Sequence, residues 1–327
     1  MNPLLSVKDL KVHFLTAGRT VRALDGVSFE IEEGKTFGLV GETGCGKSVT
    51  ALSVLRLIPF PPGKIMGGEI HFRGRNLLAL SEDEIRSIRG REISMIFQEP
   101  MTSLNPVFRI GEQMSEVIRL HQGLAHSQAW AKAEEMLERV QIPDARRLAK
   151  QFPHQLSGGM RQRVMIAMEL SCHPYLLIAD EPTTALDVTI QAQILRLIKE
   201  MKKELHTSIL LITHDLGVIA EMCDRVGVMY AGSIVEEAGV EEIFETPQHP
   251  YTQGLWGAIP RIDEEKEALS VIPGMVPDLS NPPAGCRFHP RCAHRFEPCD
   301  QSAPSLFSVG PGHRVACFLY GARRGHD

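Results

Sequence analysis

Leu156–Arg163 reads LSGGMRQR, a polar, glycine-containing turn that opens a helix. Ser157, Gly158 and Gly159 place a hydroxyl and two unobstructed backbone N–H groups at that helix start, a donor set suited to a terminal phosphate. The stretch gains its meaning from Gly41–Ser48, GETGCGKS, which satisfies G-x-x-x-x-G-K-[ST] about 110 residues earlier. In such a loop the backbone N–H groups of Gly41, Glu42, Thr43, Gly44, Cys45 and Gly46 run into a helix start at Lys47, Ser48 and Val49 and cradle anionic phosphate. Lys47 is expected to reach the β and γ phosphates, and the Ser48 hydroxyl to hold magnesium. Cys45 reads as a small filler within the loop.

The composition fits a globular protein. With 327 residues, 43% hydrophobic and 23% charged, the chain has room for two domains and for ordinary buried cores. A net charge of −5 gives no general attraction to phosphate backbones, so nucleic acid is not an expected partner. No apolar run approaches the roughly 18 residues needed to span a bilayer. The start, MNPLLSVKDL, lacks the charged and apolar regions of a secretory signal, and a cytosolic location is expected.

Patterning predicts a mixed sheet with helices. Val27, Phe29 and Ile31 alternate as in a half-buried strand, and Thr36–Val40 is a glycine-bounded apolar strand leading into the phosphate loop and a helix through Leu57. A short strand is expected over Ile93–Phe97, followed by a long helical stretch from Ile110 to Val140 with Met114, Val117 and Ile118 at helical spacing. Residues 100–165 read as a helical subdomain. Strands return at 175–179 and 208–213, with a helix between them that starts after Asp187 and carries Ile194, Leu195 and Ile198 on one face. The alternation predicts a parallel core sheet. After about Gln248 prolines crowd together and four cysteines fall between 286 and 317, so the chain divides into residues 1–250 and a loop-rich module over 251–327.

Tyr175–Glu181, YLLIADE, is an apolar strand ending in two carboxylates. Asp180 is placed to contact the magnesium shell, and Glu181 to orient and polarise an attacking water. Gln98 and His214 each follow a strand and are candidates to sense the γ-phosphate or that water.

The ordered set GETGCGKS, Gln98, LSGGMRQR, LLIADEP, Ala185-Leu-Asp187 and His214 resembles the nucleotide-binding subunit of ABC transporters over residues 4–250. The resemblance implies a P-loop ABC ATPase: an α/β, RecA-like core, an antiparallel β subdomain and a helical subdomain, followed here by the C-terminal extension. It implies a head-to-tail dimer in which Ser157, Gly158 and Gly159 of one subunit complete the ATP site formed by Lys47 and Glu181 of the other. Phe14 aligns with the family's adenine-stacking aromatic, though a Phe there also suits a core. Glu181 is the implied catalytic base, His214 the switch residue, Asp187 the link between sites, and Ser48, Gln98 and Asp180 the magnesium set. The Thr-Ala-Leu-Asp sequence ending at Asp187 departs slightly from the family, which more often carries Ser at the alanine position.

Gln98–Pro106 (QEPMTSLNP), His249–Thr252 (HPYT), Ile272–Pro277 (IPGMVP) and Asn281–Pro290 (NPPAGCRFHP) are similar to the oligopeptide, dipeptide and nickel importer branch. That likeness implies two permease subunits, a second and different ATPase subunit, an extracytoplasmic substrate-binding protein, and a peripheral place on the cytoplasmic face of the inner membrane. Peptide is the expected cargo, with nickel or another small solute as the alternative. A soluble ABC ATPase acting on DNA or ribosomes is the alternative of another class, disfavoured by the acidic balance and the single cassette.

Cys286, Cys292, Cys299 and Cys317 are spaced C-x5-C-x6-C-x17-C, a set that suits tetrahedral zinc, an iron–sulfur cluster or unliganded packed thiols. The resemblance to dipeptide-importer ATPases with this pattern implies a 4Fe–4S cluster, with zinc as the alternative. His289, His294 and His313 read as surface residues, with replacement of a cysteine as ligand the alternative, and Cys172 and Cys223 as core filler.

Overall fold

A computed structural model describes residues 3–16, 18–98, 104–184, 186–258 and 272–321. The strands in chain order are β1 (Leu5–Thr16), β2 (Arg19–Ile31), β3 (Thr36–Val40), β4 (Gly63–Phe72), β5 (Arg75–Asn76), β6 (Ile93–Ile96), β7 (Leu176–Asp180), β8 (Ser208–Ile212), β9 (Arg225–Tyr230), β10 (Ser233–Gly239), β11 (Phe307–Gly310) and β12 (His313–Val315). The main helices are α1 (Lys47–Val54), α2 (Glu82–Ile88), α3 (Ile110–Gln122), α4 (His126–Arg139), α5 (Gly158–Leu170), α6 (Val188–Leu205), α7 (Leu216–Met222), α8 (Val240–Glu245) and α9 (Pro250–Gly257). Two compact units result, one formed by residues 1–30, 37–78 and 213–327, the other by residues 31–36 and 79–212.

The first unit holds an antiparallel sheet in the order β2-β1-β4-β5, with Val7 opposite Ile70 and Val12 opposite Ile65. It also holds the strand order β11-β12-β10-β9-β3. Strands β3 and β9 are parallel, with Gly38 opposite Val226, while β9 and β10 form a hairpin across Ala231 and Gly232. Both turn residues have positive φ, 47° and 86°, the geometry of a two-residue turn whose twist matches its strands. Helix α7 lies on β3 at closest approach over Gly38, where a Cβ would stand 2.7 Å from Ile219 and 2.8 Å from Cys223. Cys223 is accordingly buried, as expected of a filler, whereas Cys172 is partly exposed.

The second unit contains the parallel strands β8-β7-β6, with Leu210, Ile178 and Met95 in register. Every residue of these three strands is buried, the mark of a parallel sheet covered on both faces. The long helix read over Ile110–Val140 is two helices. Gly123 adopts φ 66° and ends α3, and the chain restarts as α4 at His126. Helix α6 buries Ile194, Leu195 and Ile198 as its periodicity required, together with Leu197 and Met201.

The segments with cysteines and prolines pack into the first unit through a buried carboxylate. Glu236 on β10 has no exposed surface, and it accepts hydrogen bonds from His313 Nε2 at 2.7 Å and from the backbone N–H groups of Gln248 at 2.7 Å and His249 at 2.9 Å. His313 is therefore interior, a correction to its reading as a surface residue; its partner lies on the neighbouring strand, far away in sequence and invisible in the local pattern. His249 opens α9: its Nδ1 accepts the Tyr251 N–H at 3.0 Å, and Pro250 occupies the first helical turn, where no donor is lost.

Burial strips solvent from the charged form of the His249 imidazole and lowers its pKa to about 3. In the unfolded chain the ring titrates near pH 6.5, so this group's contribution to stability is full above that value and falls as the pH drops towards its folded pKa. His249→Asn retains a capping oxygen without a titratable ring. In urea titrations between about pH 6.5 and about pH 5, the wild-type unfolding free energy should fall more steeply than that of His249→Asn, by up to about 1.4 kcal/mol per pH unit. Parallel slopes would refute the assignment.

Candidate functional site

Glycine geometry shapes the phosphate loop. Gly41 adopts φ 150°, and a Cβ there would lie 2.1 Å from the Met229 carbonyl oxygen on β9. Gly46 caps α1 in the left-handed region at φ 110°, with the Ala23 carbonyl 2.9 Å from where a Cβ would stand. Only glycine satisfies both the dihedral and the contact. Gly232 N–H donates to the Cys45 carbonyl at 2.8 Å, tying the loop to the β9–β10 turn.

Lys47 is buried and its ammonium donates to the carbonyls of Gly41 at 2.7 Å and Glu42 at 3.2 Å. Thr43 and Gly44 at the loop tip are exposed, and Ser48 and Val49 are half-buried at the start of α1. Cys45 is buried, and burial raises its pKa against the opposing pull of Lys47, which fits a neutral filler. Phe14 lies half-buried on β1 beside Gly63, and His214 is exposed just after the strand that ends at Ile212. Gly41–Val49, Phe14 and His214 all belong to the first unit.

The second unit carries the carboxylates. Asp180 ends β7 and is buried; Glu181 follows half-buried in the left-handed region at φ 48°. A non-glycine residue in that region carries roughly 1–3 kcal/mol of backbone strain, sustained here by a Glu181 N–H bond to the Ile212 carbonyl at 2.8 Å. The Glu181 carboxylate accepts from Gln98 Nε2 at 3.2 Å and Thr184 Oγ1 at 2.8 Å. The structure thus brings Gln98 and Glu181 together, and adds Thr184, which the sequence reading missed. Its signal was available: Thr184 stands three residues after Glu181.

Ser157 is the N-cap of α5, accepting the Met160 N–H at 3.3 Å. Ser157 and Gly158 are exposed, and Gly159 sits close to α6, where a Cβ would stand 3.0 Å from Ile190. Helix α5 is anchored by buried Gln162, whose Nε2 donates to the Pro182 carbonyl at 2.5 Å, directly after Glu181. Asp187 is exposed and caps α6 through the Ile190 N–H at 3.0 Å. Residues 99–103 of the glutamine segment and Ala185 lie outside the described residues.

Cys286, Cys292, Cys299 and Cys317 all line one small enclosed cavity, with His249 and Phe288 beside them. Burial raises the thiol pKa values of Cys286 and Cys292 and pushes that of Cys317 up to about 11, so these sulfurs are neutral thiols near neutral pH. Among the described residues no group of three His, Cys, Asp or Glu side chains stands at metal-holding spacing. The donor set converges, but the arrangement is looser than a closed metal site, and the expected iron–sulfur or zinc centre is not drawn by the structure itself.

A strand, phosphate loop and helix, an Asp-Glu strand end and a serine-capped glycine turn define an ATPase of the ABC class. The chain matches the ABC transporter family over residues 24–184 and the oligopeptide/dipeptide transporter C-terminal region over residues 235–299. It is 52% identical to the oligopeptide transport ATP-binding protein AppD of Bacillus subtilis, covering 98% of each chain. It is 50% identical to the dipeptide transport ATP-binding protein DppD of the same organism, over 100% of this chain and 97% of that one. The dimeric post-hydrolysis structure of the ATP-binding cassette MJ0796 bound to ADP and Pi superposes with a TM-score of 0.65 at 26% identity, covering 72% of this chain and 98% of that chain. The chain belongs to the ABC transporter ATP-binding proteins of the oligopeptide/dipeptide branch.

Gly41→Ala should drive a methyl group into the Met229 carbonyl. The expected outcome is a stability loss of about 2 kcal/mol or more, together with loss of the upward melting shift that MgATP gives the wild type. Thermal denaturation with and without nucleotide checks both.

Proposed function

We propose that this subunit hydrolyses ATP to power peptide import through a membrane ABC transporter, working opposite a second, different ATPase subunit. The observation that carries the shared-site reading is the exposed Ser157–Gly158 turn at the start of α5, a phosphate-donor set open to a partner. Support for peptide as cargo comes from the relatives named for oligopeptide and dipeptide transport. Nickel or another small solute is the alternative. Two permeases and an extracytoplasmic binding protein complete the proposed assembly. Among the described residues no helix is long and apolar enough to cross a membrane, which suits a peripheral subunit held by permeases at the cytoplasmic face of the inner membrane.

In this reading residues 1–250 form the nucleotide-binding domain, with its helical subdomain over about 100–165, and residues 251–327 form the extension. The loop N–H groups from Thr43 to Val49 bind the phosphates, that of Glu42 being taken by the Tyr251 hydroxyl, and Lys47 exchanges its bonds to the Gly41 and Glu42 carbonyls for phosphate oxygens. Phe14 stacks on adenine. Ser48, Asp180 and Gln98 are the residues that would hold magnesium, which would neutralise phosphate charge. Glu181, oriented by Gln98 and Thr184, accepts the proton of the attacking water, while His214 fixes that water and the γ-phosphate. Asp187 relays the state of one site to the other. Catalysis of this type is chiefly positioning and charge stabilisation.

Glu181→Gln should reduce ATP turnover of the reconstituted complex to near zero while ATP stays bound; hydrolysis close to the normal rate sinks the assignment. The isolated chain should show far weaker nucleotide-dependent self-association than it shows association with the second ATPase subunit, as analytical ultracentrifugation can measure.

For the cysteine module the proposal is a 4Fe–4S cluster held by Cys286, Cys292, Cys299 and Cys317, with zinc as the alternative. Its support is the convergence of the four residues on one cavity. Anaerobically purified protein should contain iron and sulfide and absorb in the visible; zinc alone, or no metal, would overturn the cluster.

A further inference from the structure

We infer that Arg291 is a positioning residue of the nucleotide site, neutralising and holding Glu42 so that the phosphate loop stays shaped for an anion. The inference rests on the ATP-site reading above and adds to it a residue almost 250 positions from the loop in sequence.

Glu42 is the second residue of the loop and carries a negative charge where phosphate must bind. An unpaired carboxylate there would repel the ligand and draw Lys47 towards itself. Arg291 meets it with a two-pronged contact, Nη1 to Oε2 at 2.7 Å and Nη2 to Oε1 at 3.1 Å. Such a fork fixes orientation as well as charge, which a lysine cannot reproduce.

The arginine is itself tightly placed. Its side chain is 5% exposed, its Nε donates to the Pro273 carbonyl at 3.0 Å, Nη2 also reaches the Ile272 carbonyl at 3.3 Å, and the guanidinium lies 5.8 Å from the Tyr230 ring centre. Nη1 also lies 3.4 Å from the Tyr230 hydroxyl. The bond to Glu42 is the main reason its pKa stands above the usual arginine value.

A second clamp from the same part of the chain acts on the same residue. The Tyr251 hydroxyl accepts the Glu42 backbone N–H at 3.0 Å, and burial keeps that hydroxyl protonated by raising its pKa. The Glu42 carbonyl in turn accepts from Lys47 at 3.2 Å. Arg291, Glu42 and Lys47 thus form a short mechanical line from the cysteine-bearing segment, one residue before Cys292, to the phosphate-binding ammonium. All of these residues lie within the first unit.

The test is equilibrium binding of MgATP to the full chain, with KM and kcat of the reconstituted complex. Arg291→Ala and Arg291→Gln should each weaken MgATP binding by about tenfold and raise KM similarly, with a much smaller change in kcat. Adding Glu42→Gln to either variant should recover most of the lost affinity, because it removes the uncompensated charge. A role of Arg291 confined to general folding would leave the single and double variants equally weak. That result, or unchanged MgATP affinity in both single variants, overturns the inference. If Arg291→Ala does not fold, Arg291→Gln retains side-chain donors and bulk without the charge and decides the question. Lys47→Ala separates the two levels: if the wild type binds MgATP and Lys47→Ala does not, the site reading stands whatever Arg291 does.

Discussion

The nucleotide end of this molecule depends on a close approach between backbones. Gly41 lies so near the Met229 carbonyl that no side chain fits, and Gly46 meets the Ala23 carbonyl in the same way. The loop is therefore wedged between β9 and the β2 segment, and its shape follows from those neighbours as much as from its own residues. Parallel pairing of β3 with β9 and the tight β9–β10 turn set the position of that wedge. A shift in either would change where the loop N–H groups point.

The same hairpin carries the influence of the C-terminal residues. Glu236 on β10 is a buried carboxylate with its hydrogen-bonding capacity spent on His313, Gln248 and His249, and removal of any one partner would leave buried charge poorly compensated. From His249 the chain enters α9, whose Tyr251 reaches the loop. Extension and phosphate loop thus share one hydrogen-bonded network. A module that looks like an appendage in sequence is, in packing terms, bonded directly to the second residue of the loop.

The second unit stores strain where chemistry is expected. Glu181 sits in the left-handed region directly after a strand with no exposed residues, and Gln98 and Thr184 hold its carboxylate. Gln162 anchors the signature helix to the next residue, Pro182. The Glu181 segment and the helix that opens at Ser157 are therefore tied together by one buried hydrogen bond.

Much of this was legible in the sequence because it is local. Phosphate-loop spacing, the apolar strand ending in Asp180-Glu181, and serine followed by two glycines are each set by dihedral requirements and helix-start chemistry within a few residues. The period of α6 likewise identified its buried face. The break at Gly123 was missed because helical spacing persists on both sides of it and the left-handed φ shows only in the fold. His313 was misread because the group that buries it, Glu236, lies 77 residues away.

The class of the protein and the branch signalled by its C-terminal motifs were readable from the sequence alone. Tertiary structure alone decided that Arg291 and Tyr251 act on Glu42, that Thr184 supports Glu181, and that four separated cysteines face one cavity. The reason is physical. Dihedral and capping preferences are properties of neighbours along the chain, whereas charge neutralisation and burial depend on which distant segments the sheet brings within about 3 Å, the reach of a hydrogen bond.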